Sequence, residues 1–265
     1  MRKLLTIISV TWVTLTSAYS ESAPAVNNWS VSAGEIRLYE PTLSQQQYKG
    51  WSLGFRGEHY NLYRNTTSVE WLFRDHFRYG SLINASSSAM IDYISADLTF
   101  GSHYVFRPVK DFDIRLGGAV QLFGDLKNQS RNVNNIASGN VSLNFLATLS
   151  FVYDVRITPN FRLGAYYGLE TPLVGCRFAP HYGESYYEIY LRLPDVSRNV
   201  AFTSLHNHQA LAGNLRLNFT FRDKGTLFLA FTHDHDYFRY SNSIFYVNNL
   251  SGSVGFALRL SPVSL

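Results

Sequence analysis

From Gly50 onward, hydrophobic and polar residues alternate one by one, in runs separated by turn-forming residues. In Ser68–Tyr79, Val69, Trp71, Phe73, Phe77 and Tyr79 share one face, and Glu70, Arg74, His76 and Arg78 share the other. In Asn140–Arg156, Val141, Leu143, Phe145, Ala147, Leu149, Phe151 and Tyr153 oppose Asn140, Ser142, Asn144, Thr148, Ser150 and Asp154. A period of two marks a β-strand whose faces meet different surroundings. The same pattern predicts strands at Gly50–Leu62, Ser88–Arg107, Phe112–Gly124, Phe161–Leu173, Ala210–Phe221, Thr226–Tyr237 and Leu250–Leu260, and a weakly patterned one at Val31–Tyr39.

The connections alternate in length. Short turns fall at Asn65–Thr67, Pro108–Asp111, Thr158–Asn160 and Arg222–Gly225. Longer loops fall at Pro41–Lys49, Ser81–Ser87, Lys127–Gly139, Val174–Gln209 and Arg239–Asn249. About ten strands, short turns at one end and long loops at the other predict an all-β chain, a transmembrane antiparallel up-and-down β-barrel. Its turns and both termini would be periplasmic, and its long loops extracellular. Aromatics flank the short turns (Tyr63 and Trp71, Phe106 and Phe112, Tyr153 and Phe161, Phe221 and Phe228), most with lipid-facing parity, as an interfacial girdle requires. A soluble sandwich or lipocalin-like barrel also alternates, but soluble strands average about six residues and several strands here exceed ten.

The N-terminus adds an address. Arg2 and Lys3 precede an apolar run, Leu4–Leu15, and small residues follow it. The run is too short to span a bilayer as a helix, and the arrangement is that of a secretory signal. Cleavage after Ala18 or Ser20 is expected, giving a signal peptide at 1–20, a single barrel domain at 21–265 and outer-membrane localisation through the Sec route. The 18 Tyr and 19 Phe suit strands and membrane interfaces. The net charge of +4 is spread without a basic block, which excludes a nucleic-acid partner. The single cysteine, Cys176, rules out an internal disulfide.

If the apolar faces meet lipid, the polar faces meet each other in the lumen. Parity sends Arg56, Arg74, Arg78, Arg115, Arg162, Arg216 and Arg259 there, balanced by Glu58, Glu70, Asp97, Asp113, Asp154, Glu170 and Asp234. A barrel this narrow is filled by side chains, and unpaired buried charge is costly. The expectation is a paired, plugging network rather than a conduction path.

Candidate chemistry is sparse. His233-Asp234-His235-Asp236 lies at the outer end of a strand, where alternation separates the histidines from the aspartates. His233 and His235 are weak metal candidates, outweighed by a solvated strand end, because no partner ligands can be placed. The Asp-x-His spacing of ten-stranded outer-membrane proteases is absent. His206-Asn207-His208 has the same ambiguity, and nothing places a histidine beside Ser241 and Asn242 as a barrel phospholipase would need. No catalytic set and no cofactor is expected. The segment Val174–Gln209 carries Tyr182, Glu184, Tyr186, Tyr187 and Glu188, residue types suited to a partner surface. The expected partners are outer-membrane lipid and another envelope protein. The readings in order are a non-enzymatic binding scaffold, a narrow small-solute channel, and an outer-membrane hydrolase using rim His and Asp.

Three stretches carry a resemblance: Ser130-Arg-Asn-Val-Asn-Asn-Ile-Ala, Thr171-Pro-Leu-Val-Gly-Cys-Arg-Phe-Ala-Pro-His-Tyr-Gly-Glu-Ser-Tyr-Tyr-Glu-Ile and Phe202-Thr-Ser-Leu-His-Asn. In these the chain resembles an uncharacterised outer-membrane β-barrel family, a domain of unknown function of anaerobic gut and oral Gram-negative bacteria. The family pattern has glutamine where Glu184 stands and methionine near Arg177. The resemblance implies location and fold, and no chemistry.

Overall fold

The computed structural model describes residues 25–260, apart from 64–65, 67, 130, 132–135, 180–196, 223–224 and 241–242. Among these lie β1 (Ala25–Tyr39), β2 (Gln47–Leu62), β3 (Val69–Asn84), β4 (Met90–Val109), β5 (Phe112–Asn128), β6 (Ala137–Thr158), β7 (Phe161–Phe178), β8 (Val200–Ser204), β9 (His208–Phe221), β10 (Gly225–Tyr240) and β11 (Ser243–Leu260). Strands β1 to β7 pair in chain order; β7 then pairs with β9, β9 with β10, β10 with β11, and β11 with β1. Every pairing is antiparallel. The ring of ten is closed, so each of its strands is paired on both sides; β8, outside the ring, pairs with β7 alone among the described residues.

The wall is inside-out relative to a soluble protein. Outward positions carry large exposed apolar side chains all round the ring, among them Phe77, Leu98, Phe100, Leu122, Phe145, Leu229 and Val254. Inward positions carry the buried polar ones, among them Glu58, Glu70, Arg74, Arg78, Thr99 and Asn144. The period-two sequence pattern is this wall seen along the chain.

The short turns are tight. Asp111 and Arg222 take left-handed backbone conformations (φ 64° and 50°) at the ends of β4 and β9. Asp154 N–H donates to Asp111 C=O at 2.9 Å, and Arg222 N–H to Asn160 C=O at 2.9 Å, which ties neighbouring turns together.

The strands run further than the alternation indicates. β1 begins at Ala25 rather than Val31, β5 continues to Asn128 rather than Gly124, and β11 begins at Ser243 rather than Leu250. A tilted strand needs about ten residues to cross a bilayer, and β4 has 20. Where both faces are wet the hydrophobic alternation fades, while the ladder hydrogen bonds continue. Two expected loops are therefore corrected. Arg239–Asn249 is largely strand, with Tyr240 paired to Ser243. Within Val174–Gln209, Val174–Phe178 completes β7, β8 pairs back onto those same residues, and β9 has begun by His208. Strand β9 accompanies β7 only as far as Glu170, so β8 takes over its place at the long-loop end.

One expected girdle residue faces the other way. Phe228 is buried inside the barrel and lies against Gly255, where a Cβ would come within 2.3 Å of its ring and of the Trp29 carbonyl oxygen. Only glycine leaves room for it there.

Candidate functional site

The lumen is the place where chemistry-bearing residues converge. Its pairing can be followed from the short-turn end upward. Arg107 and Asp113 (3.5 Å) and Arg162 and Asp154 (3.6 Å) are half-exposed at that mouth. Thus Asp113 and Arg162 belong to the mouth and stand apart from the buried interior. Above them Glu70 faces both Arg115 (3.2 Å) and His103 (3.3 Å).

The middle holds the densest cluster. Arg74 donates both terminal nitrogens to Glu170, at 2.6 and 2.7 Å, and one of them also to the Thr99 hydroxyl. Planar guanidinium and planar carboxylate match in this two-point contact. Glu58 lies 2.8 Å from Arg56 and 3.1 Å from Arg216, and accepts from Asn28. The Arg216 guanidinium lies over the rings of Tyr166 (4.7 Å) and Phe228 (5.0 Å). His76 pairs with Asp97 at 3.2 Å. These residues come from β1, β2, β3, β4, β7, β9 and β10, so only closure of the ring brings them together. A polar cavity of about 140 Å³ lies among Arg56, Arg74, His76, Arg78, Asp97 and Asp234.

Nearer the long-loop end the pairs continue. Arg78 donates to Asp234. Asp236 takes Arg177 and His208, each at 3.1 Å, and Arg177 also lies over Phe238 at 4.7 Å. Lys127, 1% exposed, donates to Asp125 at 2.8 Å and Glu40 at 3.0 Å.

Above these lie two buried apolar clusters. Ile36, Leu38, Leu43, Tyr48, Leu82, Ile91 and Tyr93 form a buried cluster, and Val247 packs on it. Leu43 belongs to the β1–β2 connection, whose Glu40 carbonyl accepts from Leu43 N–H and Ser44 N–H, turning that segment inward. The Tyr48 hydroxyl accepts from Gln129 at 2.6 Å. A second apolar cluster, Ala179, Ala201, Phe238 and Phe245, lies where β7, β8, β10 and β11 meet.

Of the residues expected in the lumen, Arg56, Glu58, Glu70, Arg74, Arg78, Asp97, Arg115, Glu170 and Arg216 are brought into one connected interior. Sequence reading left out Asp125, Lys127, Glu40, Arg177 and Asp236. Asp125 and Lys127 continue the odd-numbered inward parity of β5 past its expected end, so a signal existed; Glu40 lies in a turn, where no periodicity reaches. His208 faces inward onto Asp236, whereas His206 sits in the exposed turn before it. His233 and His235 face outward, away from Asp234 and Asp236: His233 is 3.2 Å from the Asn248 amide, and His235 meets the Tyr246 ring edge-on. Among the described residues no group of three or more His, Cys, Asp or Glu could hold a metal ion. Tyr182, Glu184, Tyr186, Tyr187 and Glu188, like Ser241 and Asn242, lie outside the described residues.

Comparison with solved structures shows the same fold. The outer membrane protease OmpT from Escherichia coli superposes with a TM-score of 0.51 at 8% identity, over 92% of this chain and 100% of that one. The transport unit of the autotransporter AIDA-I from Escherichia coli superposes with a TM-score of 0.50 at 8% identity, over 92% of each chain. At such identities the likeness concerns the barrel alone. No curated protein matches the sequence. A closed ten-stranded barrel, polar within and apolar without, is thus built by a sequence that matches one family over residues 3–257: the chain belongs to DUF3316, a family of proteins of unknown function.

Proposed function

We propose that the protein resides in the outer membrane, its short turns in the periplasm, and acts as a closed, non-enzymatic scaffold that binds a partner through its long-loop end. The observation that carries this reading is the double filling of the lumen. Charge pairs cross its middle, and the buried apolar cluster of Ile36, Leu38, Leu43, Tyr48, Leu82, Ile91 and Tyr93 narrows it on the side of β1 to β4 at the long-loop end. A solute path needs a continuous wetted route; here the route meets apolar side chains packed against one another. The outward-facing His233 and His235 are separated by the wall from Asp234 and Asp236, and the acid–histidine pair that is present towards that end, Asp236 with His208, is also held by Arg177.

Purified protein refolded into planar bilayers is expected to be electrically silent while circular dichroism shows β-structure. Stable conductance steps would overturn the closed reading in favour of a channel. The binding segment is tested separately. Deleting all of Val174–Gln209 would cut β7 and β9 out of the wall. Replacing residues 180–196 with a short Gly-Ser linker leaves every described strand in place. A photo-crosslinker at Tyr186 is expected to yield one discrete envelope adduct in intact cells, absent with the crosslinker at the lipid-facing Phe100. Equal adducts from both positions would defeat the proposal.

A further inference from the structure

The outer surface of the long-loop rim is not uniform. On β2, β1, β11 and β10 one hydrogen-bonded row runs Lys49, Arg37, Asn248, His235. The row above it runs Gln47, Tyr39, Tyr246, Tyr237. The row below runs Trp51, Glu35, Leu250, His233. All these positions share the outward parity of exposed Val31, Leu250 and Phe231. Glu35 lies 2.8 Å from Arg37 and 2.9 Å from Lys49, so two exposed cations share one carboxylate. Arg37 and Lys49 are direct cross-strand partners, an arrangement that like charges disfavour.

Beyond β2 this row turns apolar. Past Lys49 the row continues into Ile83 and Met90, and the next strands present Leu126 and Val141, all exposed. The lower row continues from Trp51 into Ser81 and Asp92, and Asp92 accepts from the Tyr79 hydroxyl at 3.3 Å. Directly beneath the polar rows the surface returns to Trp51, Leu53, Leu250 and Phe231, the apolar band.

We propose that this face of β10, β11, β1 and β2 is a binding site for a phosphate-bearing lipid of the outer leaflet. The inference rests on the outer-membrane placement argued above. The two features of such a lipid, an anionic headgroup and an acyl body, are met one above the other. Arg37 and Lys49 offer a fork and a point charge to a phosphate. Asn248, His235 and the tyrosine row offer donors at headgroup height, where tyrosine is enriched. The apolar band below takes the chains. The two adjacent cations outnumber the one carboxylate they share, and a phosphate would balance the remaining positive charge. The site also accounts for the alternation in His233-Asp234-His235-Asp236: the aspartates serve the lumen and the histidines serve the rim.

The test uses the full barrel in micelles, with retained lipid read by native mass spectrometry. The probes are a bisphosphorylated glucosamine glycolipid, the same lipid without phosphates, and inorganic phosphate as competitor. The variant Arg37→Ser with Lys49→Ser is compared with Lys110→Ser in a short turn, each checked for heat-modifiable gel mobility. The double variant is expected to fold and to retain the phosphorylated lipid about tenfold less well, with Lys110→Ser unchanged. The dephosphorylated lipid should be retained as poorly as the double variant retains the intact one. Equal retention of the two lipids, or equal loss with Lys110→Ser, overturns the site. Displacement by inorganic phosphate overturns the lipid assignment in favour of a soluble anion. A barrel that stays electrically silent yet shows no lipid preference refutes this inference and leaves the scaffold reading standing.

Discussion

The middle of the lumen and its outer mouth are filled by opposite means. In the middle, Arg74 against Glu170 and Glu58 between Arg56 and Arg216 keep charge out of water by pairing it. At the mouth, Leu82, Ile91, Ile36 and Tyr48 exclude water by packing. The difference shows two ways in which inward side chains fill a ten-stranded ring. Through the apolar band the buried inner face is polar and alternates with an apolar outer face. Beyond that band inward positions can become apolar.

The comparison is broken hardest in the middle. Arg74→Ala leaves Glu170 buried without its two-point partner, and should destabilise the barrel by about 3–5 kcal/mol, measured by urea unfolding in lipid vesicles. Adding Glu170→Gln should recover much of that loss, the signature of a charge pair; no recovery would show that Arg74 acts by packing. At the mouth, Leu82→Ala should cost about 2–4 kcal/mol by opening a cavity, and no second truncation should restore it. Smaller again, Tyr48→Phe removes the hydrogen bond from Gln129 and should cost about 1 kcal/mol, read from the same unfolding midpoints. The smallest effect is expected on the lipid face: Phe100→Leu, apolar for apolar at an exposed position, should leave stability and gel mobility within error. A large loss there would mean that Phe100 contacts protein rather than lipid.

Much of the wall was legible from the chain. The alternation of Val69, Trp71 and Phe73 with Glu70 and Arg74 assigns each residue to lipid or lumen, because a strand offers only two directions. The same parity separated His233 and His235 from Asp234 and Asp236 before any contact was known. It failed where its cause is absent. At Ser243–Asn249 and at Val174–Phe178 the strand has left the membrane, so no solvent contrast writes itself into the sequence. Phe228 misled for another reason: an aromatic beside a short turn fits a girdle, and only Gly255 across the strand pair makes room for it inside.

By itself, then, the sequence determined the strands of the wall, the face each patterned residue turns outward, and the charges that meet in the middle of the lumen. The tertiary structure alone decided who pairs with whom. Arg74 and Glu170 are 96 positions apart, and Arg78 and Asp234 are 156 apart. Such partners are set by the stagger of the closed ring, which no local pattern encodes. The same holds for Glu40 and Leu43, which a connecting segment folds back into the mouth, and for the cationic rim that register lines up across four strands. Periodicity is a one-dimensional record of two surfaces; contact across a barrel depends on closure, and closure is a property of the whole chain.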